Sequence, residues 1–226
     1  MDSEDGAKEL VISYMFLRKI VGWIGVLLPI VLYAGNEIVF SAGRPESMSG
    51  YYYTHMRNIF VGTLCALGVF LVAYDGYDDV ERWVTNIAGL GAIGVAFCPT
   101  NPPVVQLSTA QQVVGDVHLF CATVTFLALA FMALRFAAPE GSPVTAPGPV
   151  SKVIYVGCGV TIFACVALAA ASNLLPASVK ANWPLVYIFE AVAVFAFGVS
   201  WFVKGQTMMG ALSWWARHAG PGPHPA

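Results

Sequence analysis

Apolar runs, each about as long as a bilayer is thick, set the first limit on this chain. They cover roughly 20–40, 56–74, 83–99, 115–135, 153–175 and 183–203. A helix needs about 20 mainly apolar residues to cross the hydrocarbon core. The chain is 58% hydrophobic and 11% charged, against about 25% charged in a soluble domain. Such a chain cannot cover a water-facing surface with polar groups, and only helices or closed barrels span lipid. The expected fold is an all-α integral membrane protein, a bundle of six transmembrane helices. Residues 1–19 read as an N-terminal interfacial segment, 20–204 as the transmembrane domain, and 205–226 as an interfacial and then disordered tail.

The N-terminus reads Met-Asp-Ser-Glu-Asp-Gly, acidic where a signal peptide is basic, so the first apolar run is expected to stay as a span. Residues 7–19 suit an interfacial helix leading into it. Basic residues fix the orientation. With six spans, eight of the eleven Lys and Arg fall on the side of the termini and three (Arg44, Arg57 and Lys180) on the other. Both termini are therefore expected to be cytoplasmic, in a multi-pass protein of the cell membrane. Membrane lipids are the expected partners, and a net charge of −2 gives no support for nucleic-acid binding. The five cysteines follow no metal-binding spacing. Cys98 and Cys121 fall near the outer ends of neighbouring spans, where a bridge is conceivable. The Asn-Pro-Pro at 101–103 marks an outer loop. The 138–150 stretch reads as a flexible inner loop, and Trp214 and Trp215 suit the headgroup interface. No internal repeat is visible, which weighs against an inverted-repeat transporter.

The densest polar and aromatic run is 47–62, from Ser47 through Tyr51, Tyr52, Tyr53, Thr54, His55, Arg57 and Asn58 to Gly62. The expected topology places it at the outer mouth of the second span. Thr54, Arg57 and Asn58 share one helical face there, and Tyr33, Asn36 and Glu37 share another at the end of the first span. The fourth span opens with Asp116, His118 and Cys121, and the sixth carries Tyr187 and Glu190. Ionisable groups inside a bilayer cost about 2.5–3.5 kcal/mol each on insertion scales and mark functional interiors. Plain structural readings stand beside these. The tyrosines fit an aromatic belt, Arg57 fits an ion pair with Glu37 or Glu190, and Asp116 fits a helix cap or first-turn acid. The glycines of the third span fit close helix packing. The acidic run Tyr74-Asp-Gly-Tyr-Asp-Asp-Val-Glu-Arg fits a turn and cap better than a cation site through Asp75, Asp78 and Asp79.

Tyr-Tyr-Tyr-Thr-His-Met-Arg-Asn-Ile-Phe-Val-Gly at 51–62, Gly76-Tyr77-Asp78, Asn86-Ile-Ala-Gly, and Phe195-Ala-Phe-Gly-Val-Ser-Trp-Phe-Val-Lys-Gly resemble an uncharacterised family of small bacterial multi-pass membrane proteins. The resemblance covers roughly 45–204 and implies no activity. The places of Thr54 and His118 are similar to those of the catalytic Thr and His of the androgen-induced serpentine family, six-span hydrolases of fatty-acid esters. That likeness is positional and not a shared motif. The chain departs from the alkaline ceramidase and adiponectin-receptor superfamily, a group of seven-span zinc hydrolases with three His ligands. Four histidines in all, with no pair in the last span, are too few.

Two readings of function follow. In the first, a membrane-embedded hydrolase of lipid or fatty-acid esters opens to the outer leaflet. Thr54 is nucleophile, His118 its base, and Glu190 or Asp116 orients the His. Arg57 or Asn58 stabilises the oxyanion or holds a lipid headgroup, and Tyr53, Glu37 and Tyr187 complete the pocket. A metal variant has His118, Glu190 and Asp116 ligating zinc. In the second, the same cluster belongs to a non-catalytic ligand-binding, transport or scaffold protein. If Thr54 and His118 meet across a cavity, the first gains. If Arg57 and Glu190 saturate each other, the cluster is structural.

Overall fold

The computed structural model describes residues 3–76, 78–102, 104, 106–138 and 147–218, with backbone alone for 3–15, 177, 180–181 and 207–218. Tyr77, Pro103, most of the 138–150 loop, the side chains of Trp214 and Trp215, and the tail 219–226 lie outside this description.

Among the described residues every regular element is helical: α1 (Ser3–Tyr33), α2 (Arg57–Val72), α3 (Asp79–Phe97), α4 (Thr109–Arg135), α5 (Pro149–Ser172), the short α6 (Ala177–Asn182) and α7 (Leu185–His218). A π-helical turn, Ala34–Val39, continues α1, and a 3-10 helix, Met48–Tyr53, precedes α2. The six long helices form a ring in the order α1, α7, α5, α4, α3, α2, with α2 touching α1 only lightly. Neighbours in the chain run in opposite directions, so α7 can name the two ends. The connections 40–56 and 173–184 and the described residues of 98–108 gather at its Glu190 end, and 73–76, 136–138 and 147–148 at its Lys204 end.

Four stretches are long and apolar enough to cross a membrane: Phe16–Val39, Thr109–Arg135, Pro149–Ser172 and Leu185–Gln206. α2 is apolar but has 16 residues, about 24 Å at 1.5 Å per residue, short of a 30 Å core. α3 has 19 residues but opens with Asp79, Glu81 and Arg82. The outside of the ring is apolar, with Leu90, Phe97, Phe120 and Val153 each more than 60% exposed. Polar groups such as Asn36, Thr85, His118 and Ser200 are buried. That distribution is the reverse of a water-soluble domain.

Local chemistry explains the element ends. Ser108 and Gln111 cap α4 reciprocally. Pro149 opens α5, where no amide is needed. Asp78 caps α3 by accepting from the Glu81 amide at 2.8 Å. The preceding Gly76 takes φ +63°, and a Cβ there would meet the Glu81 side chain. The acidic run is thus a turn and a cap. Small residues set the closest approaches. Gly22 and Gly25 of α1 lie against α7 at Phe202 and Gly198. In α3, Gly89 faces Gly68, and Gly91 and Gly94 face Thr125 and Cys121 of α4.

Candidate functional site

A cavity of about 530 Å3 opens between α4, α5 and α7 at the Glu190 end. α4 and α7 meet only sparsely there, so α5 spans the gap and leaves a wedge. Asp116, His118 and Phe126 line it from α4, Ala169 and Asn173 from α5, and Phe189 and Glu190 from α7. Ser47, Ser49, Thr100 and Asn101 reach it from the connections. The wall is polar towards the helix ends and apolar deeper in. A second pocket of about 60 Å3 lies on the ring axis and is almost wholly apolar. Glu190, Ser49, Ala122 and Phe126 belong to both.

Glu190 holds the 40–56 connection to the bundle. Its Oε2 accepts the Met48 amide at 2.6 Å, and the Tyr187 amide one turn earlier donates to the Glu46 carbonyl at 3.0 Å. His118 is 5% exposed, and its Nδ1 lies 2.6 Å from the Cys98 carbonyl. A carbonyl only accepts, so Nδ1 carries a proton, and the Val95 carbonyl is a second partner of the ring. Asp116 is exposed to the cavity and makes no hydrogen bond or ion pair among the described residues. It is not the first-turn acid its sequence position suggests. α4 begins at Thr109, more than a turn earlier, because the capping box at Ser108 starts the helix inside the expected loop.

The other expected site residues lie apart from this cavity. Thr54 closes the 3-10 helix: its hydroxyl donates to the Tyr51 carbonyl at 2.9 Å and accepts the Met56 amide at 3.1 Å. It lines neither of these two pockets, and its hydroxyl is bonded within its own turn and not to His118. Arg57 is exposed and lies 4.0 Å over the Tyr52 ring, donating to its hydroxyl. It pairs with neither Glu37 nor Glu190. Asn58 is exposed. His55 stacks on Phe40, and Tyr53 donates to the Thr100 carbonyl at 2.6 Å. Cys98 and Cys121 are free thiols, so the conceivable bridge is not made.

Glu37 and Tyr187 belong to a cluster beside the cavity. Tyr51 is fully buried against Tyr187, with ring centroids 6.1 Å apart, and Arg44 approaches the Tyr187 ring at 5.9 Å. Burial pushes the Tyr51 phenol well above its ordinary range, with Tyr187 and Glu37 adding to the effect. Tyr53 is raised in the same direction, mainly by burial. In the π-helical turn, Asn36 is buried and donates to the carbonyls of Ala42 and Gly43 at 3.2 Å. Among the described residues no three His, Cys, Asp or Glu side chains stand close enough to hold a metal. His118, Glu190 and Asp116 therefore line one cavity without forming a zinc site.

Sequence reasoning missed the Lys204 end. Arg18, Glu81 and Lys204 are each 2% exposed or less. Arg18 donates to the Tyr74 hydroxyl at 2.5 Å and lies 4.6 Å over its ring. Lys204 lies 5.0 Å over Phe136, and Arg135 bonds Asp78 at 2.5 Å. Tyr74, Phe136 and Trp201 pack edge to face around these charges. In the sequence these basic residues read only as flanks that set orientation. A signal was present in Glu81, an acid in the first turn of α3 at the same end of the ring as Arg18 and Lys204. No family model, curated protein or solved structure matches the chain.

Proposed function

We propose that this is a six-span protein of the cell membrane, with both termini cytoplasmic, that binds an amphiphilic small molecule or lipid in the cavity between α4, α5 and α7. The basic-residue asymmetry supports the orientation, which puts the cavity in the outer leaflet. α2 and α3 would complete the six spans, packed in the same ring as the four longer helices. The observation that carries the reading is the cavity itself. Its volume of about 530 Å3 falls within the 300–1,000 Å3 typical of small-ligand sites. Its wall grades from polar to apolar, as an amphiphile requires. Thr54, the nucleophile of the hydrolase reading, spends its hydroxyl on a turn away from this wall. Binding therefore fits the geometry better than threonine-based ester hydrolysis.

Native mass spectrometry of protein extracted from membranes tests the reading. The protein is expected to carry a co-purifying small molecule, and Ala169→Phe, which fills the α5 wall, to lose it. Identical spectra for the two proteins would refute the site. A fluorescent protein fused after Ala226 is expected to mature in the cytoplasm; a fusion active only on the other side would reverse the orientation.

A further inference from the structure

We propose that the ligand is an amphiphilic cation, an ammonium carried on an apolar body, held through Glu190 and Asp116. The inference rests on the reading of the cavity as a ligand site and names the chemistry that the site selects. Two carboxylates line the cavity, and no Lys or Arg does among the described residues. Two of the basic residues at this end are engaged elsewhere, Arg57 on Tyr52 and Arg44 by Tyr187, and the Lys180 side chain lies outside the described residues. Neither Glu190 nor Asp116 forms an ion pair among the described residues. Glu190 accepts from the Met48 amide and from the Ser49 amide and hydroxyl, dipoles and not a compensating charge. A carboxylate held at membrane depth with no protein cation is costly, and a bound ammonium supplies the missing partner.

His118 is buried beside the two acids, lines the cavity, and is tied to the Cys98 and Val95 carbonyls. Among the described residues it forms no ion pair with either acid. The neutral polar groups of the wall, on Ser47, Ser49, Thr100 and Asn101, can solvate an ammonium but cannot neutralise a phosphate or carboxylate. Deeper in, Leu119, Phe126, Phe189 and Ala193 offer an apolar seat. Two aromatic faces there also attract a cation.

Three probes with one body and three heads test this: 4-phenylbutylamine, 4-phenylbutanol and 4-phenylbutanoate, titrated into the purified full chain in lipid nanodiscs. The amine is expected to bind at least tenfold more tightly than the alcohol, and the carboxylate more weakly than either. Asp116→Asn and Glu190→Gln are each expected to weaken amine binding at least fivefold and to narrow the preference for the amine over the alcohol. Asp116 is exposed and makes no hydrogen bond or ion pair among the described residues, so its variant tests the charge even if Glu190→Gln folds poorly. Equal binding of amine and alcohol, or a preference for the carboxylate, would overturn the cation inference and leave the cavity as a ligand site. Binding of none of the three, unaltered by Ala169→Phe, would overturn the ligand-site reading and the inference with it.

Discussion

The seam between α1 and α7 is the place where a single methyl group should do most harm. A Cβ added at Gly198 would sit 2.5 Å from the Val26 nitrogen and 2.7 Å from the Gly22 carbonyl oxygen, both backbone atoms. Ordinary contact starts at 3.4 Å, so the shortfall is about 0.9 Å. Backbone atoms cannot rotate away as a side chain does, so the helices must part. A gap of 0.5–1 Å forfeits a quarter to a half of the dispersion energy of each contact it opens. Overpacked cores lose about 1–3 kcal/mol. α1 and α7 form the most extensive helix pair of the ring, which puts Gly198→Ala in the upper half of that range. Better helix propensity returns about 0.5–1 kcal/mol, leaving a net loss of about 1–2.5 kcal/mol. At roughly 2–4 °C per kcal/mol for a chain of this size, Tm should fall by about 2–10 °C.

Thermal unfolding in mild detergent, followed by circular dichroism, measures the effect. Gly62→Ala and Gly157→Ala serve as controls. Both lie in exposed helix faces, and a Cβ at either has nothing within 4 Å, so each should keep or slightly raise Tm. If Gly198→Ala melts with the controls, the backbones of α1 and α7 are not in contact and the ring order is wrong. The seam also bears on the cavity. Glu190 lies eight residues before Gly198, about 12 Å along the same helix, so a shift of α7 moves the cavity wall. Gly198→Ala should therefore weaken binding at the cavity as well as stability.

Glu190→Ala leaves the Met48 amide without its acceptor, which should cost about 1–3 kcal/mol and speed proteolytic cleavage within 41–56. Unchanged cleavage would mean that the carboxylate does not hold that connection. At the other end, the Glu81 amide first and Arg135 second hold the Asp78 carboxyl below its ordinary range. A depressed acid stabilises above its unfolded pKa, and the effect fades as pH falls through the lower folded value. Asp78→Asn keeps the cap and should remove that acid dependence at little cost. Asp78→Ala also loses the cap, for about 1 kcal/mol more, and equal melting of the two would exclude the capping role. Tyr51 shifts the opposite way: its raised phenol stabilises below the ordinary tyrosine range and is lost as pH climbs above it. Alkaline pH should loosen 41–56, and Tyr51→Phe should blunt the change in protease sensitivity. Thr54→Ala should cost about 1 kcal/mol in the local turn and leave binding of 4-phenylbutylamine unchanged; loss of binding would return Thr54 to the site.

Helical class and the gathering of Asp116, His118 and Glu190 at one end were legible because both follow from a single variable. Hydropathy along the chain sets the helices, and alternation of direction then sets which ends meet. Rotation about each helix axis is a different matter. It decided that Thr54 and Arg57 turn away from the cavity, and no spacing in 51–62 reveals it, because the segment is a 3-10 turn up to Tyr53 and has no single face. The α4 start was misplaced by the same kind of local event, a capping box whose Ser108 and Gln111 sit within an uncharged stretch that hydropathy reads as loop. The Lys204 end went unread for another reason. A basic residue at the end of an apolar run has two physical fates, snorkelling to the interface or turning inward to an acid, and sequence alone does not separate them. Here Glu81 decides between them. An acid fully buried in α3 requires inward-facing cations, so Arg18 and Lys204 are drawn under Tyr74, Phe136 and Trp201. The two ends of the ring thus differ in kind. At the Lys204 end acid and bases are packed together and closed over by aromatic rings, whereas at the Glu190 end two acids line open space with no Lys or Arg beside them among the described residues. That asymmetry is what makes the Glu190 end the one suited to receive a ligand.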